Sequence, residues 1–304
     1  MLEQFERYAR EAGVEVPAGL ISSLLERYRT EHRDLRASEP GALVERAREL
    51  GYRALALTDV CSLAGVVRAH GRARACGLQL IIGSEVLLAD GQRLVLLAAD
   101  AAGYAGLSTL ITRGRRAAVK GEYRLDRADL AGGLPGCLAL WLPGEQSEAD
   151  TGRWLAERFP DRLWIGVELH RSGGDRERLA RLRALGAAYG LPLVAAGGVL
   201  MHDAERRPLL DCLTAIRLGK PVAELGYAAQ SNGERHLRSR PRLARFYPRE
   251  LLAETQVLAG RCRFSLEQLR YRYPSELVPP GLTPSAHLRA LTEAGLDRRW
   301  PDGK

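Results

Sequence analysis

From residue 38 onward, short wholly apolar runs alternate with longer stretches in which apolar residues return every three or four positions. SEPGALVERARELG sets Leu43, Val44, Ala47 and Leu50 on one face, with Ser38 as N-cap, Pro40 in the first turn and Gly51 as the stop, and so predicts a helix. YRALALTD then predicts a strand ending in Asp59, and SLAGVVRAHGRARACG a helix from a Ser62 cap to Gly77. LQLIIGSEVLL and RLVLLAAD read as strands, AGLSTLITRGRRAA as helix, CLALWLP as strand and EADTGRWLAERF as helix. LWIGVELH, DRERLARLRALGAAYG and LPLVAAGG continue the series as strand, helix and strand. Strands that are apolar throughout and alternate with helices predict a largely parallel sheet, covered on both faces or closed into a barrel. In such folds chemistry collects at the carboxyl ends of the strands.

The two ends of the chain depart from this alternation. In residues 1–37, Leu2, Phe5, Tyr8, Ala9 and Ala12 fall at helical spacing, GVEVPAG makes a turn, and Leu20, Ile21, Leu24, Leu25 and Tyr28 mark a second amphipathic helix, which predicts a helical hairpin. After residue 216 the strands stop: a turn and basic segment precede the helical LLAETQVLAGRCRFSLEQL, and a last helix is capped near Thr283.

Composition adds boundaries. A chain of 304 residues with 46% hydrophobic content suits one principal domain with appended segments. Its five cysteines are dispersed without a C-x-x-C pair, which argues against a zinc knuckle or a disulfide framework and fits a reducing cytoplasm. No apolar run approaches the roughly 20 residues of a membrane span, and the start MLEQFERYAR lacks the apolar core of a signal peptide. The net charge of +8 is concentrated late, since residues 217–304 carry 16 basic against 9 acidic side chains.

Asp59, Glu85, His170 and His202 stand at or just beyond predicted strand ends. Carboxylates and imidazoles in such positions can converge on divalent cations for phosphate-ester hydrolysis. Alternatively, Asp59 caps a helix, Glu85 faces solvent and each histidine bonds a backbone carbonyl. The segment RHLRSRPRLARFYPR places Arg235, His236, Arg238, Arg240, Arg242 and Arg245 among two aromatic residues with no acid between them. It is a candidate DNA-phosphate contact, with a solvated or protein-docking basic face as the alternative. Arg113, Arg115, Arg116 and Lys120 form a second cluster where cations favour a helix end. Cys61 is either a nucleophile beside a histidine base or a small packed side chain. No phosphate-cradling glycine motif is present.

The stretch LVERARELGYRALALTDVCSLAGVVRAHGRARACGLQLIIGSEVLLADG resembles the second and third motifs of the polymerase and histidinol phosphatase (PHP) domain, in the form that opens bacterial C-family DNA polymerases of the error-prone branch. The resemblance continues through KGEYRLDRADL, VELH, RRPLLDCLTAIRLGKPVAE and NGERHLRSRPRLARFYPRELLAET to FSLEQLRYRYPSELVPPGLTP. It implies an α/β fold, a distorted (βα)7 PHP-type barrel over 38–265, with an N-terminal helical hairpin at 1–37 unmatched to the family and a C-terminal helical extension at 266–304 beginning the polymerase region. It implies a multinuclear metal site used in some members for phosphoesterase or 3′–5′ exonuclease chemistry, with Asp59, Glu85 and His170 matching ligand positions. Val60 departs from the second motif, Gly198 and Leu200 stand where a late motif has aspartate and histidine, and residues 1–37 hold only His32 instead of a His-x-His pair. His202 is then what remains of a ligand cluster. Three remnant donors would hold at most one weak Mn, Zn or Mg ion.

The resemblance thus implies the PHP portion of an error-prone, polymerase III alpha-like DNA polymerase of damage-tolerant synthesis and repair, cut before its palm. The chain itself would be an inactive scaffold or DNA-contacting module in the cytoplasm, with DNA and other subunits of a damage-tolerant polymerase assembly as partners and no membrane. A free-standing metal-dependent phosphoesterase or exonuclease, and a rearranged remnant, remain the alternatives.

Overall fold

The computed structural model describes residues 37–144, 149–270 and 277–301. The expected hairpin, Ala37 apart, lies outside them. Contacts divide the chain into two compact units, Met1–Gln268 and Leu269–Lys304.

In the first unit the elements run α1 (Pro40–Glu49), β1 (Ala54–Val60), α2 (Val66–Cys76), β2 (Gln79–Leu87), β3 (Arg93–Ala98), α3 (Ala101–Arg116), β4 (Cys137–Leu142), α4 (Ala149–Arg158), β5 (Leu163–Glu168), α5 (Asp175–Tyr189) and β6 (Leu193–Ala196). Then α6 (Arg207–Leu218), α7 (Arg240–Phe246) and α8 (Arg249–Arg261) follow without further strands. The second unit contains α9 (Pro284–Arg299), whose first turn is capped by the Thr283 hydroxyl accepting from the Ala286 N–H.

The six strands form one curled sheet in the order β1-β2-β3-β4-β5-β6. Neighbours pair in parallel except at β3, which is antiparallel to both β2 and β4. The reason is local. Only Leu88–Gln92, with Asp90-Gly91 at the bend and the Leu88 N–H bonded to the Gln92 carbonyl, separates β2 from β3. A parallel crossover needs about a dozen residues, whereas a hairpin needs a few. The chain therefore reverses, and the start of β3 lands on the rim where the other five strands end.

Each face of the sheet is covered, which is why the strands read as apolar throughout. On the convex side α1 and α2 pack Leu43, Val44 and Val66 against Leu57 and Ile82. Farther along, Leu107 and Leu110 of α3 and Leu155 of α4 meet Leu96, Trp141 and Ile165. On the concave side α8 lies inside the curl, its Leu258 and the following Cys262 against Ile81, Leu97, Leu138, Leu140, Trp164 and Val194. That helix fills one end of the lumen. A cleft of about 1180 Å³ runs along the rest of the concave face, lined by residues of all six strands and reaching the carboxyl rim at Glu85, Arg93 and Glu168.

Two expected caps are placed differently. The N-cap of α1 is Glu39, with no side-chain cap, because Ser38 is engaged elsewhere. The N-cap of α2 is Gly65; Ser62 instead accepts the Ala64 N–H in a turn ahead of the helix. Because Leu258 anchors α8 in the curl, Leu258→Ala is expected to cost about 2–5 kcal/mol of stability, read from the shift of a urea unfolding midpoint.

Candidate functional site

Strand geometry decides which candidates can meet. Successive side chains in a strand face opposite ways. In β1, Thr58 and Val60 line the cleft, whereas Leu57 and Asp59 face the convex side. A methyl group built on Gly65 would lie 2.9 Å from Asp59 Oδ2, 2.8 Å from Pro40 and 3.3 Å from Leu57. The Asp59 carboxylate is therefore buried among the starts of α1 and α2. Glu85 pairs in register with Val60 and opens into the cleft. Asp59 and Glu85, expected to share a metal, lie on opposite faces of the sheet.

What Glu85 meets is a guanidinium. Arg93 Nη2 and Nε donate to Glu85 Oε1 at 2.9 and 3.0 Å, and Arg93 Nη1 approaches Glu168 Oε2 at 3.4 Å. Glu85 faces Val95 across the ladder, so Arg93 is its diagonal neighbour. The Glu168 side chain is 9% exposed and that of Arg93 36%. Burial alone would lower the Arg93 pKa, but the two carboxylates outweigh it and raise it above its usual value.

His170 stands two residues beyond Glu168. Its Nε2–H donates to the Gly197 carbonyl at 2.8 Å, so that nitrogen is committed, and burial lowers its pKa. Gly198 passes between the two side chains with φ +52°; a methyl group there would lie 2.4 Å from Glu168 Oε1 and 3.1 Å from His170 Cε1. His202 is separate from this group. Its Nδ1 is hydrogen-bonded to the Ser38 hydroxyl at 2.7 Å while its backbone N–H donates to the same oxygen at 2.9 Å, tying the start of α1 to the loop beyond β6. Among the described residues no group of three or more His, Cys, Asp or Glu is placed to hold a metal ion. The donors do not fit the family's multinuclear centre: one carboxylate is on the wrong face, two are bridged by arginine, and one imidazole is spent on a carbonyl.

The basic segment is not a continuous surface strip. Arg238 is 2% exposed, and its Nη1 donates to the Leu169 carbonyl at 3.0 Å. Its guanidinium lies 5.5 Å from the Phe246 and Tyr247 ring centroids. Tyr247 in turn accepts from the Leu169 N–H and donates to the Ala196 carbonyl, joining the ends of β5 and β6. Arg235 donates to the Gly198 carbonyl, His236 to the Gly233 carbonyl, and Arg242 pairs with Glu234. Arg240 and Arg245 are exposed. In the other cluster, Arg115 is turned inward to the Cys61 and Val60 carbonyls. Cys61 is fully buried, and burial pushes its thiol up to about 11, which does not suit a thiolate nucleophile.

Residues 27–153 match the PHP domain family. The match begins inside the 1–37 segment, so that segment is not wholly foreign to the family. Over 88% of its length the chain is 60% identical to an error-prone DNA polymerase of Methylococcus capsulatus, and over the same share it is 56% identical to those of Dechloromonas aromatica and Pseudomonas aeruginosa. In each case the match covers 26% of the relative, so this chain spans about a quarter of the length of the curated relatives it matches. Among solved structures, a protein described as a metal-dependent phosphoesterase from Bifidobacterium adolescentis aligns over 54% of the chain with a TM-score of 0.41 and 16% identity. An amidohydrolase from Chromobacterium violaceum aligns over 55% with a TM-score of 0.40 and 15% identity.

The strand-end residues that sequence reasoning missed are Arg93 and Glu168. Glu168 was visible as the lone carboxylate in the apolar run LWIGVELH, and Arg93 would have been found by reading ADGQ as a hairpin.

Two outcomes follow from these arginines. Arg238→Ala should lose about 2–4 kcal/mol whereas Arg245→Ala stays within about 0.5 kcal/mol, both by urea unfolding. Burial tends to raise the Glu234 pKa, but the Arg242 guanidinium prevails and holds it below its ordinary value of 4.5. The pair's contribution is therefore complete above that value and is lost as pH falls through the lower folded pKa. Glu234→Gln should flatten the acid limb of a stability–pH curve.

Proposed function

We propose that this chain serves as the PHP-domain part of an error-prone, polymerase III alpha-like DNA polymerase, and that its own role is structural. It supports the polymerase core and offers a surface to DNA or to other subunits of a damage-tolerant assembly in the cytoplasm. The identity of more than half of the aligned positions with error-prone polymerases supports the association with DNA synthesis. The observation that carries the non-catalytic reading is the engagement of both cleft carboxylates by Arg93. Hydrolysis of a phosphate ester by a metal-dependent route needs cations that polarise the phosphoryl oxygen and generate hydroxide. In this cleft the anionic donors that would hold them are already neutralised, and Asp59 faces away.

For contact with DNA, the exposed Arg240 and Arg245 are the members of the basic segment that remain available to phosphates. Their neighbours Arg238 and Arg242 hold the rim together instead.

Incubation of the purified chain with a 3′-labelled single strand and with chromogenic phosphate esters in Mn²⁺, Zn²⁺ and Mg²⁺ is expected to give no release above a metal-free control. Metal analysis after dialysis should find no stoichiometric ion. Robust, chelator-sensitive cleavage would replace this proposal with a phosphoesterase or exonuclease function.

A further inference from the structure

We propose that the Arg93 guanidinium is the resident cation of the PHP cleft: it occupies the seat between Glu85 and Glu168, and its removal exposes a latent site for a hard divalent cation such as Mn²⁺ or Ca²⁺. The inference deepens the non-catalytic reading and rests on it.

Three observations converge. Arg93 bridges two carboxylates carried by strands that are not neighbours, β2 and β5, using Nε and Nη2 on one and Nη1 on the other. One cationic group thus links β2 and β5 across the concave face. The bridge is built into the sheet register, since the β2–β3 hairpin fixes Arg93 diagonally opposite Glu85 and reversal of β3 points it toward the carboxyl rim. Finally, Glu168 sits at the rim with a side chain only 9% exposed, and the Gly198 backbone packs so close to it that a methyl group there would lie 2.4 Å from Oε1. A buried carboxylate left without a counter-charge is costly, so Glu85 and Glu168 need a cation of some kind. Arginine supplies that charge with directed N–H donors and permanent protonation, and being tethered to the chain it requires no ion from solution.

Replacing Arg93 by methionine keeps the stem's volume along the strand and removes the charge. The two acids then face each other across a wet rim, and oxygen ligands from two carboxylates plus water suit Mn²⁺ or Ca²⁺ with a dissociation constant on the order of 10⁻⁴–10⁻³ M.

The experiment is thermal unfolding of the full chain, wild type and Arg93→Met, in EDTA and in millimolar Mn²⁺ or Ca²⁺, with isothermal titration of Mn²⁺ alongside. The wild type is expected to show the same midpoint in all conditions. Arg93→Met should unfold at a lower temperature in EDTA and recover a substantial part of the loss with either divalent ion. Arg93→Met/Glu168→Gln should exceed Arg93→Met in EDTA and ignore the ions. Should Arg93→Met fail to fold, the neutral Arg93→Met/Glu85→Gln/Glu168→Gln variant is expected to restore folding; failure of that rescue overturns the proposal. An Arg93→Met protein indifferent both to divalent ions and to the loss of Glu168 also overturns it, while leaving the inert scaffold intact. Metal-dependent cleavage by the wild type would sink both.

Discussion

Because the chain turns back within five residues of Leu87, β3 must run against its neighbours, and its first residue is delivered to the rim where the other strands finish. Had the connection been long enough for a crossover, Arg93 would have emerged at the opposite end of the sheet, beside the apolar contacts of α8. The electrostatic character of the cleft thus depends on a backbone constraint before it depends on any side chain. Two acids and one base are brought within hydrogen-bonding range by strand polarity alone, and the cleft chemistry proposed above is a consequence of how they then neutralise one another.

The same economy of charge recurs around the rim. The segment after Asn232 is rich in arginine, yet several of its guanidiniums serve the fold: Arg235 holds the Gly198 carbonyl, Arg242 the Glu234 carboxylate and Arg238 the end of β5. Arg238 illustrates why a charged residue can be almost wholly enclosed. Its head group finds a carbonyl, a phenol oxygen and two aromatic faces, so its burial is offset by directed contacts instead of being left uncompensated.

Much of this was legible from residue pattern. The alternation of apolar runs with 3.6-period stretches located the six strands and the helices between them, because burial on both faces imposes that pattern whatever the sheet's curvature. The motif resemblance likewise identified the family, since the residues of TDVCSLAG and IIGSE lie where backbone and sheet geometry restrict them. The site was less legible. Asp59 and Glu85 look alike in sequence, both acids late in an apolar strand, and only the register shows that they face opposite ways. Caps were misplaced for a related reason: Ser38 can cap its own helix or bond a distant imidazole, and the choice is made by a loop 164 residues away. A cluster of arginines likewise gives no sign of which members turn inward, because that depends on carbonyls at the ends of β5 and β6.

Gly198 restricts what the rim of this cleft can accept. Its backbone lies in the left-handed region, and the space a side chain would need is taken by Glu168 and His170. An acid placed at that position would strain the main chain and set a third negative charge against one already satisfied by Arg93. Position 198 is thus closed to any larger residue, and the wall of the cleft beside Glu168 is made by main chain and not by a side chain that could be exchanged.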